Sequence, residues 1–159
     1  MVEAQKAPDQ KFKFCYILRG LPGCGKSTVA KQLAGANGKI LNLDTNVNKH
    51  AIQGGAKSDE APEIREKHFA EFCAEIDKGT QIIVVDNMNI QESEYMHLVH
   101  KAQQEHYFTS VVTLPVPEDL EGAAERSKHN VTKSEMTALK SLYEPTSLKS
   151  LIDKGDAMH

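Results

Sequence analysis

Residues 20 to 27 read Gly20-Leu21-Pro22-Gly23-Cys24-Gly25-Lys26-Ser27, a glycine loop whose flanks leave few options for the fold. Phe12 to Leu18, aromatic and apolar except for Lys13, leads into it with the length of a strand buried on both faces. Beyond it Val29, Ala30, Leu33 and Ala34 recur at helical spacing with Lys31 and Gln32 outward, and Gly35 and Gly38 close that helix. Strand, glycine loop and helix form the context in which Gly-x-x-x-x-Gly-Lys-Ser, the Walker A pattern, holds phosphates. Glycines let backbone amides converge on phosphate oxygens, and the helix N-terminus adds its dipole. Lys26 then reaches the β and γ phosphates, and the Ser27 hydroxyl binds magnesium. The expected nucleotide contacts are Gly20, Leu21, Pro22, Gly23, Cys24, Gly25, Lys26, Ser27 and Thr28, and the expected cofactors are ATP and Mg2+.

Elements alternate along the rest of the chain. Lys39 to Leu43 reads as a second short strand with Asp44 at its end. Ile64, His68, Phe69, Phe72, Cys73 and Ile76 share a helical face, with Pro62 in the first turn and Gly79 beyond the last. Gln81 to Asp86 is a third strand that ends in a carboxylate, Gln91 to Glu105 a helix carrying Tyr95, Leu98, Val99 and Ala102 on one face, and Tyr107 to Leu114 a fourth β-rich run. Pro117 to Lys128 reads as a helix rich in Glu and Ala. Thr132 and Glu135 make a capping box with a Val131 and Met136 staple, so a further helix runs from Lys133 to Glu144, before Pro145. This order predicts an α/β P-loop NTPase fold: a doubly wound parallel sheet of about four strands with a helical lid, its ligands outside the carboxyl ends of the strands. Residues 1–11 are a polar lead-in, 12–145 one domain, and 146–159 a tail in which Leu148, Leu151 and Ile152 form one docked turn. A chain of 159 residues supports one sizeable core.

The net charge of -3 gives no global attraction to nucleic acid, so polynucleotide binding requires a local basic site. Three cysteines without CxxC spacing fit neither a disulfide framework nor a zinc site and point to a reducing compartment. No apolar run approaches the roughly 20 residues of a membrane span, and Met1 to Lys11 has no apolar signal-peptide core. A cytoplasmic location is expected.

Six further positions carry candidate chemistry. Asp86, ending an apolar strand, is placed to complete magnesium coordination with Ser27; its plainer reading is a cap or turn residue. Asp44, on the same sheet edge, is placed to accept a proton from an acceptor hydroxyl, against an Asx turn with Asn46. Arg126 is a candidate lid arginine over the nucleotide, against a solvated surface charge. His97 and His100, one turn from Glu94, have a spacing that could present metal ligands, with no further match to a metal motif. Cys24, among loop amides and near Lys26, has surroundings that favour a thiolate; the alternative is a small residue filling a tolerant position.

Three segments resemble the polynucleotide-kinase-like P-loop family, which includes phage polynucleotide 5′-kinase and the N-terminal domain of 2′,3′-cyclic nucleotide 3′-phosphodiesterase. They are Tyr16 to Thr28 with Arg19 before the first glycine, Val85-Asp86-Asn87-Met88-Asn89, and Arg126 to Thr132 followed by Met136, Leu139 and Tyr143-Glu144. The likeness runs from about Phe12 to Pro145. It implies that Asp44 is the general base for a 5′-hydroxyl and that Arg126 contacts the nucleotide or its transferring phosphate. Val47 stands where the phage enzyme has an arginine that grips the acceptor phosphate, and Met88 where the family has threonine. None of the seven histidines is followed by Ser or Thr in the His-x-Thr/Ser pattern of the phosphodiesterase's second domain. The expected function is an ATP-dependent kinase acting on an RNA or DNA 5′ end. Its rivals are a nucleoside or small-metabolite kinase and a non-catalytic ATP-binding module; no Asn/Thr-Lys-x-Asp base-reading motif for GTP is present.

Overall fold

The computed structural model describes residues 12–42, 62–127 and 131–145. Strands β1 (Phe14–Arg19), β2 (Lys39–Leu41), β3 (Ile82–Asp86) and β4 (Phe108–Thr113) form one sheet in the order β2-β3-β1-β4. All its pairings are parallel: Tyr16 lies opposite Val84 on β3 and Ser110 on β4, and Ile40 opposite Val84 on the other side. Helices α1 (Lys26–Ala34), α2 (Pro62–Asp77), α3 (Met96–Gln104), α4 (Leu120–Arg126) and α5 (Lys133–Leu142) complete the described elements. The expected doubly wound α/β fold is what forms.

The two faces follow from the two-residue period of strands. Leu18 and Val84 turn to α1, meeting Ala30 and Ala34. Their alternates Cys15, Ile17, Ile83 and Val85 turn to the opposite face, under Phe72 and Ile76 of α2 and Leu98, Val99 and Ala102 of α3. A third cluster lies beyond the carboxyl ends of the strands, where Ala123 of α4 and Met136 and Leu139 of α5 close over Leu21, Met88 and Ile90. Val131 is buried in that cluster beside Met136, as the staple requires, and the Thr132 hydroxyl accepts the Glu135 amide at 3.1 Å.

β2, β3 and β4 are each one or two residues shorter than expected, and four other elements depart from the sequence-based expectation for local reasons. β1 begins at Phe14 and runs to Arg19, one residue further than expected, because its ladder with β4 continues to Arg19 and Thr113. The 91–105 helix is split: Gln91 and Glu94 form a capping box around a 3-10 turn, Glu92–Glu94, and α3 starts only after Tyr95. The 117–128 helix contracts to Leu120–Arg126, because Asp119 caps it by accepting the Gly122 amide at 3.0 Å and Ser127 is extended. α5 stops at Leu142 rather than Glu144, since Tyr143 is extended and a residue before proline is disfavoured in helix. The Glu144 amide instead bonds to the Ile90 carbonyl at 2.9 Å. Asp44, Asn46, Val47, His129, the 1–11 lead-in and the 146–159 tail lie outside the described residues, as does the Ile64 side chain. No described helix is long and apolar enough to cross a membrane.

Candidate functional site

The loop between β1 and α1 is built by its glycines. Gly23 (φ 78°) and Gly25 (φ 91°) hold left-handed conformations that L side chains rarely adopt, and Gly25 is the residue from which α1 starts. Gly23 has a second constraint: α4 lies so close that a Cβ there would collide with the Ala123 carbonyl. Gly20 is constrained by Cys24, whose Sγ occupies the space a Cβ would take. At the other end of the loop the Gly20 amide bonds to the Met88 carbonyl at 3.0 Å, tying the loop to the segment after β3.

β1 and β3 are paired neighbours, so their carboxyl ends bring the loop and Asp86 together. Asp86 is buried. Its Oδ2 accepts the Ser27 hydroxyl at 3.0 Å and its Oδ1 lies 3.8 Å from Lys26 Nζ, with the lysine and aspartate side chains only 11% and 7% exposed. A buried carboxylate with a cation and a hydroxyl donor has the partners its burial demands.

The residues also fit a magnesium ion. Octahedral Mg2+ at about 2.0–2.1 Å from each ligand sets adjacent ligand oxygens roughly 2.9 Å apart, and the Ser27 and Asp86 oxygens stand 3.0 Å apart. One hydroxyl and one carboxylate, with waters and substrate phosphates for the rest, is the usual protein share of a nucleotide-bound magnesium site. The His97 and His100 alternative does not assemble. His97 packs its ring on Phe69, centroids 5.3 Å apart, and no cluster of three metal-ligating side chains occurs among the described residues.

A cavity of about 230 Å³ opens over the loop, lined by Pro22, Gly23, Gly25, Lys26, Ser27, Thr28, Lys31, Arg126 and Ser127. Three cations and no carboxylate line it, which suits a polyanion. Arg126, at the end of α4, reaches the loop from above, its Nη2 donating to the Gly23 carbonyl at 3.4 Å. Gly20, Leu21 and Cys24 do not line the cavity: Leu21 is buried under α4 and α5, and the Cys24 thiol faces Gly20. Burial raises the Cys24 thiol above its ordinary range, outweighing the opposing effect of Lys26. The Sγ packs against Gly20, and the burial that comes with this position opposes the expected thiolate.

Two residues that the sequence names carry roles it did not assign. Lys31 reads as outward and is exposed, yet it stands one turn beyond Ser27, the i,i+4 position that shares its side of the helix. Asn89 has φ 48° and donates its side-chain amide to the Leu18 carbonyl at 2.8 Å, bracing the loop's entry. Its signal was an asparagine three residues past a strand end, a type that tolerates the left-handed region.

A family model described as an AAA domain matches residues 16–146. The chain belongs to that family. Its P-loop kinase-like architecture is shared by solved structures of low identity. A gluconokinase from Sinorhizobium meliloti 1021 superposes with a TM-score of 0.57 at 19% identity, covering 86% of this chain and 78% of that one. Kti12 from Chaetomium thermophilum, in complex with ADP-AlF3, gives 0.58 at 18% identity, covering 84% and 81%. A chain of the Pnkp1/Rnl/Hen1 RNA repair complex gives 0.54 at 20% identity, covering 86% of this chain and 47% of that one. At these identities the likeness is one of fold.

Proposed function

We propose that this AAA-domain member is an ATP-dependent kinase that transfers the γ-phosphoryl group to a hydroxyl, that of an RNA or DNA 5′ end. The observation that carries the reading is the Lys26, Ser27 and Asp86 cluster beneath a cavity that also receives Lys31 and Arg126. Loop amides and the α1 N-terminus hold the triphosphate, and Lys26 neutralises its β and γ oxygens. Ser27 and Asp86 would hold Mg2+, which when bound neutralises charge developing on the phosphates. Arg126, tethered to the loop through Gly23, places a cation where the transferring phosphoryl group carries negative charge. Asp44 takes the acceptor's proton as the acceptor oxygen bonds the γ phosphorus, and the bond to the bridging oxygen breaks to release ADP. Asp44's role rests on its sequence position just past β2 and on the family resemblance. The polynucleotide acceptor rests on the three resembling segments, two of which, the loop and Asp86, meet in this site with Arg126 of the third.

A second reading, a small-metabolite kinase, is favoured by the fold shared with the gluconokinase and with a sugar kinase from Janibacter sp. HTCC2649. Transfer from γ-labelled ATP to 5′-hydroxyl RNA, 5′-hydroxyl DNA, nucleosides and sugars separates the readings. Labelled oligonucleotide alone supports the first, labelled sugar or nucleoside alone the second, and ATP binding with no labelled acceptor a regulatory module. On an active acceptor, Asp44→Asn should cut turnover about 100-fold or more while ATP affinity holds. A variant as fast as wild type would remove Asp44 from the chemistry.

A further inference from the structure

Arg19 is the last residue of β1, directly before the phosphate loop, and it is fully buried. An arginine is among the residue types least often buried so completely. Its guanidinium is held by three carbonyls from two chain segments far apart in sequence. Nε donates to the Asn89 carbonyl at 2.7 Å, Nη2 to the Ile90 carbonyl at 2.9 Å, and Nη2 also to the Glu144 carbonyl. The rings of Tyr95 and Tyr143 face it, their centroids 4.7 and 4.6 Å from Cζ. Tyr95 belongs to the turn before α3, and Tyr143 and Glu144 follow α5 directly.

The connections of these segments give the arrangement its meaning. Asn89 and Ile90 lie on the strand-end segment that begins with Asp86. Glu144 is reached only through α4 and α5, the helices that bring Arg126 to the cavity and pack Ala123 on Gly23. From its own backbone Arg19 accepts the Leu114 amide at 2.8 Å, on the segment leading from β4 to α4. The guanidinium thus fastens the C-terminal end of the α4–α5 unit and the Asp86 segment to the residue that starts the loop, while the Arg19 backbone carbonyl holds the segment leading to α4. We propose that Arg19 is a positioning residue: it sets the α4–α5 unit, and with it Arg126, in register with the phosphate loop.

The chemistry requires arginine. Its planar fork donates in fixed directions while the guanidinium plane packs against aromatic rings, whereas a lysine ammonium is a compact, strongly hydrated charge without the fork that would reach these carbonyls together. Tyr143 contributes its ring, because its buried hydroxyl has no hydrogen-bond partner among the described residues.

The test has two readouts, since the functional half rests on the proposed nucleotide site. Hydrogen exchange of the nucleotide-free protein is followed over residues 120–127 and 131–142 and over the core strands, and Mg-ATP affinity is measured by calorimetry, for wild type, Arg19→Lys, Tyr143→Leu and Tyr143→Phe. Arg19→Lys and Tyr143→Leu should speed exchange in α4 and α5, leave β1 and β3 protected, and weaken Mg-ATP by about tenfold. Their combination should cost less than the sum, because both act through one cluster. Tyr143→Phe should match wild type. The proposal is overturned if exchange in α4 and α5 is unchanged in both variants, if all strands lose protection equally, or if Tyr143→Phe behaves as Tyr143→Leu. Should Arg19→Lys fail to fold, Tyr143→Leu and Tyr143→Phe decide it. Should wild type bind no Mg-ATP, the proposed function fails, and the exchange pattern still judges Arg19.

Discussion

At the residue scale, the loop glycines do work that side chains would prevent. Gly23→Ala meets two penalties, a left-handed backbone and a collision with the α4 backbone. Mg-ATP affinity should fall by at least about tenfold, since backbone strain of one to three kcal/mol falls on the loop itself. Calorimetry checks this, and wild-type affinity would contradict the close approach of α4. Cys24 gives a pH prediction. Burial holds its folded-state thiol above the ordinary value, so the thiolate is suppressed at neutral pH and grows only at higher pH than in an unfolded chain. Iodoacetamide labelling at pH 7.5 should be slower than for an unfolded control and should accelerate with pH beyond that control's midpoint. Rapid, pH-independent labelling from pH 6 upward would restore the thiolate reading. The sequence revealed the loop's composition but not the direction of this side chain, which is set by Gly20 packing.

Among the elements, those governed by local pattern were legible. β3 follows its apolar run into Asp86, and α5 begins where the Thr132 cap and Val131 staple place it. The segments misjudged were those where a local hydrogen bond overrides a longer pattern: the capping box at Gln91 and the cap at Asp119. α4 has seven residues, so one cap is a large share of its stability. Asp119→Ala should loosen it by about 1 kcal/mol, speeding amide exchange in residues 120–126 about fivefold. Protection in β1 and β3 should not change, because the cap touches neither. In the cluster below, Met136 is fully buried, and Met136→Ala should destabilise by about 2–5 kcal/mol on denaturant titration. A loss below about 1 kcal/mol would mean that α5 does not share the core.

On the scale of the molecule, alternation of strand and helix specified a parallel sheet with both faces covered, and the register places the carboxyl ends of β1 and β3 side by side. That adjacency makes a site from Lys26, Ser27 and Asp86, residues up to 60 positions apart, and each had been legible from its own motif. Arg19 stood out only as the residue before the first glycine; its role as a clamp was not legible, because its partners lie 70, 71 and 125 positions away and no local period encodes them. This cluster is expected to bind Mg-ATP. Isothermal calorimetry of wild type and Lys26→Ala with Mg-ATP tests it most directly. Wild type should bind one Mg-ATP, and Lys26→Ala should lose most of that affinity, since the loop then faces the triphosphate without its cation. Equal affinity in both proteins, or no heat from wild type, would contradict the assignment.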